Sequence, residues 1–426
     1  MVSLVRDGVI SPLELVDAHL GQIARRNPDL NAFVRVFDEQ AREDARALVR
    51  GDRRGLLHGI PVTVKDSFDI AGQPTRVGCA SRPETRAARD ATAVARLRAA
   101  GAIVIGRTNT SEMLRDYACE NPVTGRTHNP WDRSRSPGGS SGGEAAAIAA
   151  YCSAGGLASD GGGSIRIPAH FCGIAGLKPT PGRIPGTGHV PPLGYPTGLV
   201  TTVGPMARTV TDLRLLFSAL AGYDSQDPFS VPVPLREPPL RALKIGVWEQ
   251  FYDVPVQEEI AQAVSRASGM LDAQGFTVDS FEPCGLERAP NVWAFLFGQW
   301  PGSPGEFTAE QVLVTLAERD RMRAELLRQM EDVAALVMPV CGIVAFRHGE
   351  RKWKVGEREI GAFQMAMPAV LANVLGLPAV TLPVSVSAEG LPIGVQLVGR
   401  PYEDELLLEI AVRLEEARGI WAGAPR

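Results

Sequence analysis

Lysine is scarce in this chain of 426 residues: Lys65, Lys178, Lys244, Lys352 and Lys354 are the five among 44 lysines and arginines. A lysine that closes an apolar, strand-like run therefore calls for a reason, and Lys65, at the end of GIPVTVK (59–65), is so placed. Cysteine is sparse too. The six (Cys79, Cys119, Cys152, Cys172, Cys284, Cys341) are widely scattered with no CxxC, which points to reduced thiols in a cytosol rather than a disulfide frame or a zinc site. Six histidines include no HExxH and no cluster with ligand spacing, so no metal is expected. No leader pattern opens the chain and no run of roughly 20 apolar residues goes uninterrupted. The expected location is the cytoplasm, without membrane contact. The net charge of -4 is spread over dispersed acids and bases, leaving no basic stripe for nucleic acid.

With 45% apolar residues the chain has ample material for a core. Ser11 and Pro12 suit the cap and first turn of a helix over 11–26, and a second helical spacing covers 38–50. A β-branched strand at 59–65, a helix at 91–100 and a buried strand at 101–106 follow. Two glycine-rich loops, 138–143 and 161–163, then bracket one helix (EAAAIAAYC) and one strand (GLAS). A helix over 208–221 leads to a Pro-rich crossing at 225–240. Beyond it, ALKIGVW, GFTVDSF, AALVMPV, PAVTLPV and PIGVQLVG read as strands, with helices near 257–274, 308–332, 363–375 and 403–417. Alternation on both sides of the crossing predicts one α/β domain over 1–426, a mixed β-sheet covered on both faces by α-helices.

Cofactor loops are not found. GGSSGG lacks the Lys-Ser/Thr ending of a P-loop, and neither glycine run has the GxGxxG order after a strand. No cofactor is expected. Gly138 to Gly142 spell a literal GxSxG, but a nucleophile elbow needs a buried strand before its serine, and here the polar NPWDRSRSP precedes it. Ser164 follows Gly161, Gly162 and Gly163 at the start of a short helix, so backbone N–H groups can converge before its hydroxyl as an oxyanion site. A serine needs a base. Lysine can serve when burial lowers its pKa from about 10.4 to near 7, at a differential cost of roughly 5 kcal/mol. Asp66 follows Lys65, but successive strand residues point to opposite faces, so it need not be the lysine's partner. Ser140 and Ser164 lie 24 residues apart across one helix and one strand, a unit that brings its end loops together. Three glycines can equally be a plain turn, and Lys65 an edge-strand or ion-pair residue; the residues alone leave both readings open.

The segment SPGGSSGGEAAAIAAYCSAGGLASDGGGSIRIPAHFCGIAGLKPT, 136–180, resembles the signature of the amidase signature family. GIPVTVKDSFDIAG, GRTHNPWD, NVLGLPAVTLPVS and GLPIGVQLVGRP resemble it too, as do the 75 residues from Lys65 to Ser140. The resemblance implies an amidohydrolase in which Ser164 is acylated, Ser140 bridges after a cis peptide bond eased by Gly139, and Lys65 moves protons through Ser140. It further implies that the amides of Gly161, Gly162, Gly163 and Ser164 hold the oxyanion, while Asp160, Arg166 and Ser141 support the loop. The signature core is placed at 55–222. Ser159 and Gly161 stand where threonine and a larger residue are common, which is expected to loosen the loop. The region 285–362 matches nothing in the family pattern and is assigned to substrate choice. Gly139, Met113 and Tyr117 are candidates for substrate contact, with ordinary packing the alternative for the last two. The expected partners are a small-molecule amide and water, with a homodimer as the assembly. TNTSEMLRDYACEN (108–121) looks more like stand-alone amidases than like the glutamine-hydrolysing component of an aminoacyl-tRNA amidotransferase, which is the alternative function. A non-catalytic binding protein of the same fold is a second.

Overall fold

The first long helix, Pro12–Leu30, begins where Ser11 accepts the Glu14 amide at 3.1 Å while the Glu14 carboxylate accepts the Ser11 amide at 2.8 Å. This reciprocal cap satisfies two otherwise orphaned donors. The computed structural model describes residues 1–50, 55–239, 243–298 and 307–421. Among the described residues the strands are β1 (Phe33–Val36), β2 (Pro61–Lys65), β3 (Ile103–Thr108), β4 (Glu120–Asn121), β5 (Gly125–Arg126), β6 (Gly155–Asp160), β7 (Ala175–Lys178), β8 (Thr202–Ala207), β9 (Lys244–Val247), β10 (Thr277–Ser280), β11 (Val333–Pro339), β12 (Lys352–Val355), β13 (Arg358–Gly361), β14 (Ala379–Val386) and β15 (Pro392–Gly399).

Eleven of these form one mixed sheet in the order β1-β3-β2-β6-β8-β7-β14-β15-β11-β9-β10, and β4-β5 and β12-β13 are separate two-stranded ribbons. The strands β2, β3, β6, β8, β11 and β15 are buried along their whole length. A sheet buried on both faces reads as continuous apolar runs rather than as alternation, which is why IVIGRT and PIGVQLVG stand out in the sequence. The α/β architecture with a mixed sheet under helices is as expected. The chain crosses 225–239 without helix or strand.

Three strands and a helix go beyond the sequence expectation. FVRV of β1 is short, and AGLK of β7 and TVGPMA of β8 are interrupted by glycine or proline, so period-2 patterning is weak there. Helix Ala289–Phe297 (APNVWAFLF) is apolar almost all round and carries no 3.6-residue stripe to announce it. Most of GQWPGSPGEF, from 299 to 306, lies outside the described residues, while FRHGERKWKVGE leads into and forms part of the β12-β13 ribbon.

Strands β2 and β6 run parallel and adjacent, with Thr63 opposite Gly156 and Val64 opposite Leu157. Their carboxyl ends, Lys65 and Asp160, therefore emerge side by side. In open α/β sheets that end is where ligands bind. The connecting helix, Gly142–Ala149, is wholly buried and presents its first turn to the same place.

Candidate active site

Lys65 is fully buried, and its Nζ lies 2.7 Å from Ser140 Oγ, 2.8 Å from Ser141 Oγ and 3.5 Å from Ser159 Oγ. Burial pulls the ammonium down to about 7, opposed by Cys119, Asp160 and Glu144. A neutral amine has two hydrogens and one lone pair, which matches three hydroxyl neighbours: two accept, and one can donate to nitrogen. Asp66 turns to the other side of the strand and pairs with Arg107 at 2.7 Å. Lys178 is equally buried and also brought to about 7 by desolvation, but its Nζ meets a single carbonyl, that of Pro179 at 3.0 Å. Scarcity and burial thus mark two lysines, and the hydroxyl cluster distinguishes Lys65.

The Gly139–Ser140 peptide is cis. Thr110 Oγ1 donates to the Ser140 carbonyl at 2.8 Å, and the Ser141 amide donates to the Ser164 carbonyl at 3.2 Å, which ties the two glycine loops together. Ser164 remains partly exposed while Ser140 and Ser141 are buried. Glu144, fully buried on the connecting helix, accepts from Thr63 and Thr108 hydroxyls, and burial lifts its carboxyl to about 7.

Asp160 organises the loop that carries Ser164. Its carboxylate accepts the amides of Gly163 (2.8 Å), Ile165 (3.0 Å) and Arg166 (3.3 Å), and the Arg166 guanidinium at 2.9 and 3.0 Å. Burial alone would raise this carboxyl, but the Arg166 charge and the surrounding donors hold it well below the usual carboxylate range. Arg166 also donates to Ala369 O, Gln396 Oε1 and Asn373 Oδ1, so all five of its donors are paired. Breaking such a pair leaves an unpaired buried charge, a loss of about 3–5 kcal/mol. Asp160→Asn is accordingly expected to lower the urea midpoint markedly at neutral pH. The Asp160 contribution is present above the unfolded carboxyl pKa and fades as pH falls toward the folded one, so the gap between variant and wild type should narrow in acid. Equal midpoints at pH 7 would contradict this account.

The expected oxyanion donors need one correction. The Gly163 amide is committed to Asp160. Among the described residues, the amides of Gly161, Gly162 and Ser164 have no protein acceptor. Nor is the loop loosened at Gly161: a Cβ there would lie 2.7 Å from Phe297 and 2.8 Å from Thr201 Oγ1, so Phe297 occupies the room a larger residue would take. Gly139 is accounted for by packing rather than by substrate contact, since a Cβ would fall 2.3 Å from the Asp116 carbonyl oxygen. Met113 packs with Val77, Leu114 and Val190. Tyr117 reaches the loop itself, its hydroxyl donating to Gly162 O at 2.9 Å.

Three further contributors gave no usable signal in the sequence. His189 Nδ1 faces the Pro191 carbonyl at 2.7 Å, which can only accept, so Nε2 accepts from Ser159 Oγ at 2.9 Å. Burial pulls this imidazole down to about 4, and it stands neutral behind Ser159 and Lys65. Asn373 donates to the Asp160 carbonyl and carboxylate and to Val200 O. Trp293 Nε1 donates to Gly161 O at 2.5 Å. Among the described residues no group of three or more His, Cys, Asp or Glu side chains is arranged to hold a metal ion, and no helix is long and apolar enough to cross a membrane.

The family model for amidases matches residues 14–301 and 299–408. An indoleacetamide hydrolase of Bradyrhizobium diazoefficiens is 34% identical, with 98% of this chain and 86% of that protein covered. The amidase-like component of the glutamyl-tRNA(Gln) amidotransferase of Syntrophobacter fumaroxidans is 33% identical over 96% of this chain and 94% of its own. The solved structure of a 6-aminohexanoate cyclic dimer hydrolase complexed with substrate superposes with a TM-score of 0.85 at 29% identity, covering 100% of this chain and 97% of that one. A buried lysine among hydroxyls, a glycine loop with unused amides and this likeness over nearly the full length agree: the chain belongs to the amidase signature family and is a hydrolase of carbon–nitrogen bonds other than peptide bonds.

Proposed function

We propose that the chain hydrolyses small amides through an acyl-enzyme on Ser164, with Lys65 and Ser140 relaying protons. The observation that carries this reading is the buried Lys65 amine, pulled to about 7 and lying 2.7 Å from Ser140 Oγ. As Ser164 Oγ attacks the carbonyl carbon, its proton passes to Ser140 and the Ser140 proton to Lys65. The unused amides of the glycine loop receive the developing oxyanion. Lys65 returns its proton through Ser140 to the departing nitrogen, the C–N bond breaks, and water releases the acid by the reverse path. Asp160, Arg166 and Ser141 act by holding the loop and the amine in register, and no cofactor enters. Reaction with a fluorophosphonate, followed by peptide mapping, tests the assignment. A single adduct on Ser164 is expected, and an adduct elsewhere, or none, refutes it.

The acyl side is proposed to be apolar and planar or cyclic. Trp293, Phe297 and Phe363 form a stack against the glycine loop, with ring centroids 4.8 and 6.1 Å from Trp293, and two of these rings come from the 285–362 region assigned to substrate choice. The names of the indoleacetamide and cyclic-dimer hydrolases point the same way. Turnover of indole-3-acetamide, an anilide, a cyclic diamide and glutamine decides it: preference for one of the first three is expected, and preference for glutamine overturns it. A second reading, as the glutamine-hydrolysing component of an amidotransferase, is favoured by several relatives of that kind at 31–33% identity. Copurification with a second protein from the native source, together with glutamine turnover, would establish that reading. The expected compartment is the cytoplasm.

A further inference from the structure

The helix Ala289–Phe297 lies 125 or more residues beyond the nucleophile in a region without family resemblance, yet one of its side chains bonds directly to the glycine loop. We infer that Trp293 is a positioning residue for the oxyanion site: its indole N–H holds the Gly161 carbonyl and so aims the Gly162 N–H at the substrate oxygen. The inference rests on the acylation of Ser164 proposed above.

In a trans peptide the C=O and N–H of one unit point in opposite directions, so a partner on the oxygen also fixes the hydrogen. Along the loop, the unit joining Asp160 to Gly161 is held by Asn373, which donates to Asp160 O at 3.0 Å. The unit joining Gly162 to Gly163 is held at both ends, by the Tyr117 hydroxyl on its oxygen and by Asp160 on its N–H. The unit joining Gly163 to Ser164 is held on its oxygen by the Ile167 amide at 2.8 Å. That leaves the unit joining Gly161 to Gly162. Its hydrogen-bond anchor is Trp293 Nε1, 2.5 Å from the oxygen, and its N–H has no protein acceptor among the described residues.

Both flanking residues are glycine, the type with the fewest steric limits on rotation of this unit. Without the indole the plane could turn and carry its N–H away from the oxyanion. The indole is itself held, stacked on Phe297 with an interplanar angle of 17° and on Phe363 at 19°. Its ring also closes over the loop, since a Cβ on Gly162 would lie 2.4 Å from Trp293 Cζ2. Thus the segment assigned to substrate choice also sets one donor of the catalytic machinery.

The test is Trp293→Phe, which keeps an aromatic ring and removes the donor, read against replacement of Trp293 by β-(3-benzothienyl)alanine, which keeps the bicyclic shape and lacks N–H. Loss of a correctly aimed oxyanion donor acts on the transition state. Expected is a fall in kcat of about tenfold or more with KM changed less than about twofold, and a parallel fall in the rate of Ser164 phosphonylation by a fluorophosphonate. Phe363→Leu, which loosens the stack but keeps the indole N–H, should lose less than about threefold in kcat. Wild-type kcat in either Trp293 replacement overturns the inference, as does a loss in Phe363→Leu equal to that in Trp293→Phe. If Trp293→Phe does not fold, the benzothienyl protein decides alone. Failure of the wild type to be phosphonylated on Ser164 would instead remove the underlying reading, so the two failures are distinguishable.

Discussion

Ser164→Ala should abolish covalent labelling by a fluorophosphonate and lower kcat by roughly 10⁵-fold or more, the order seen when a serine nucleophile is truncated in another hydrolase. The fold should survive, because Ser164 is partly exposed and the loop is held by Asp160 through the amides of Gly163, Ile165 and Arg166. Unchanged melting with lost turnover is therefore the expected pair of results. Ser140→Ala should behave differently. It removes the hydroxyl 2.7 Å from Lys65 while leaving the attacking oxygen and the free amides in place, so slow labelling of Ser164 should persist. Should Ser164→Ala retain turnover while Ser140→Ala loses it entirely, the nucleophile has been misassigned between the two serines.

Lys65→Met is expected to lower kcat by about 10²- to 10⁴-fold, the usual contribution of a general base, and at the same time to stabilise the protein at neutral and acid pH. The two effects have one origin. Burial lowers the folded-state pKa of Lys65 from 10.5 to about 7, so between those values the unfolded chain binds the proton more tightly than the folded one. Stability therefore rises with pH across that window, and below about 7 the full cost of an ammonium in a dry site is felt, roughly 5 kcal/mol for a shift of this size. Methionine fills the space without that cost. Denaturant titrations at pH 6 and 9 check this: the gain from Lys65→Met should be larger at pH 6. A variant less stable than wild type at pH 6 would mean that the lysine is held there as a stabilising cation, not a base. The wild-type rate should climb through about pH 7 as the amine loses its proton. Glu144 is also brought to about 7 and faces Lys65, so the midpoint belongs to the pair.

The relation between Lys65 and His189 shows how far local chain patterning reaches. Lys65 is legible because an apolar β-branched run ends on it. His189 sits in GTGHVPP with no periodic context, and its role follows from a hydrogen bond to Ser159, 30 residues earlier. Asn373 is similar. Its three bonds to Asp160 and Val200 join chain positions 173 or more residues apart, a relation that neither spacing nor composition encodes. The error over Gly163 has the same source: the glycine run announces that amides are exposed for use, but which of them Asp160 claims depends on the turn the loop takes. Gly161 likewise reads as a gap in packing from the chain alone, whereas Phe297 fills it in the fold.

What the sequence determined by itself is the set of groups and the segments that carry them: a lysine at a strand end, two serines in glycine loops, and the helix and strand between. These are short-range facts, written in hydrophobic runs, caps and glycine positions, because local backbone preference and burial of a face act over a few residues. Only the tertiary structure decided which lysine meets hydroxyls, which amides stay free and which distant indole holds the loop. Those outcomes depend on where segments far apart in the chain come to rest beside each other, and side-chain contacts across that distance are settled by packing of the whole sheet and its helices.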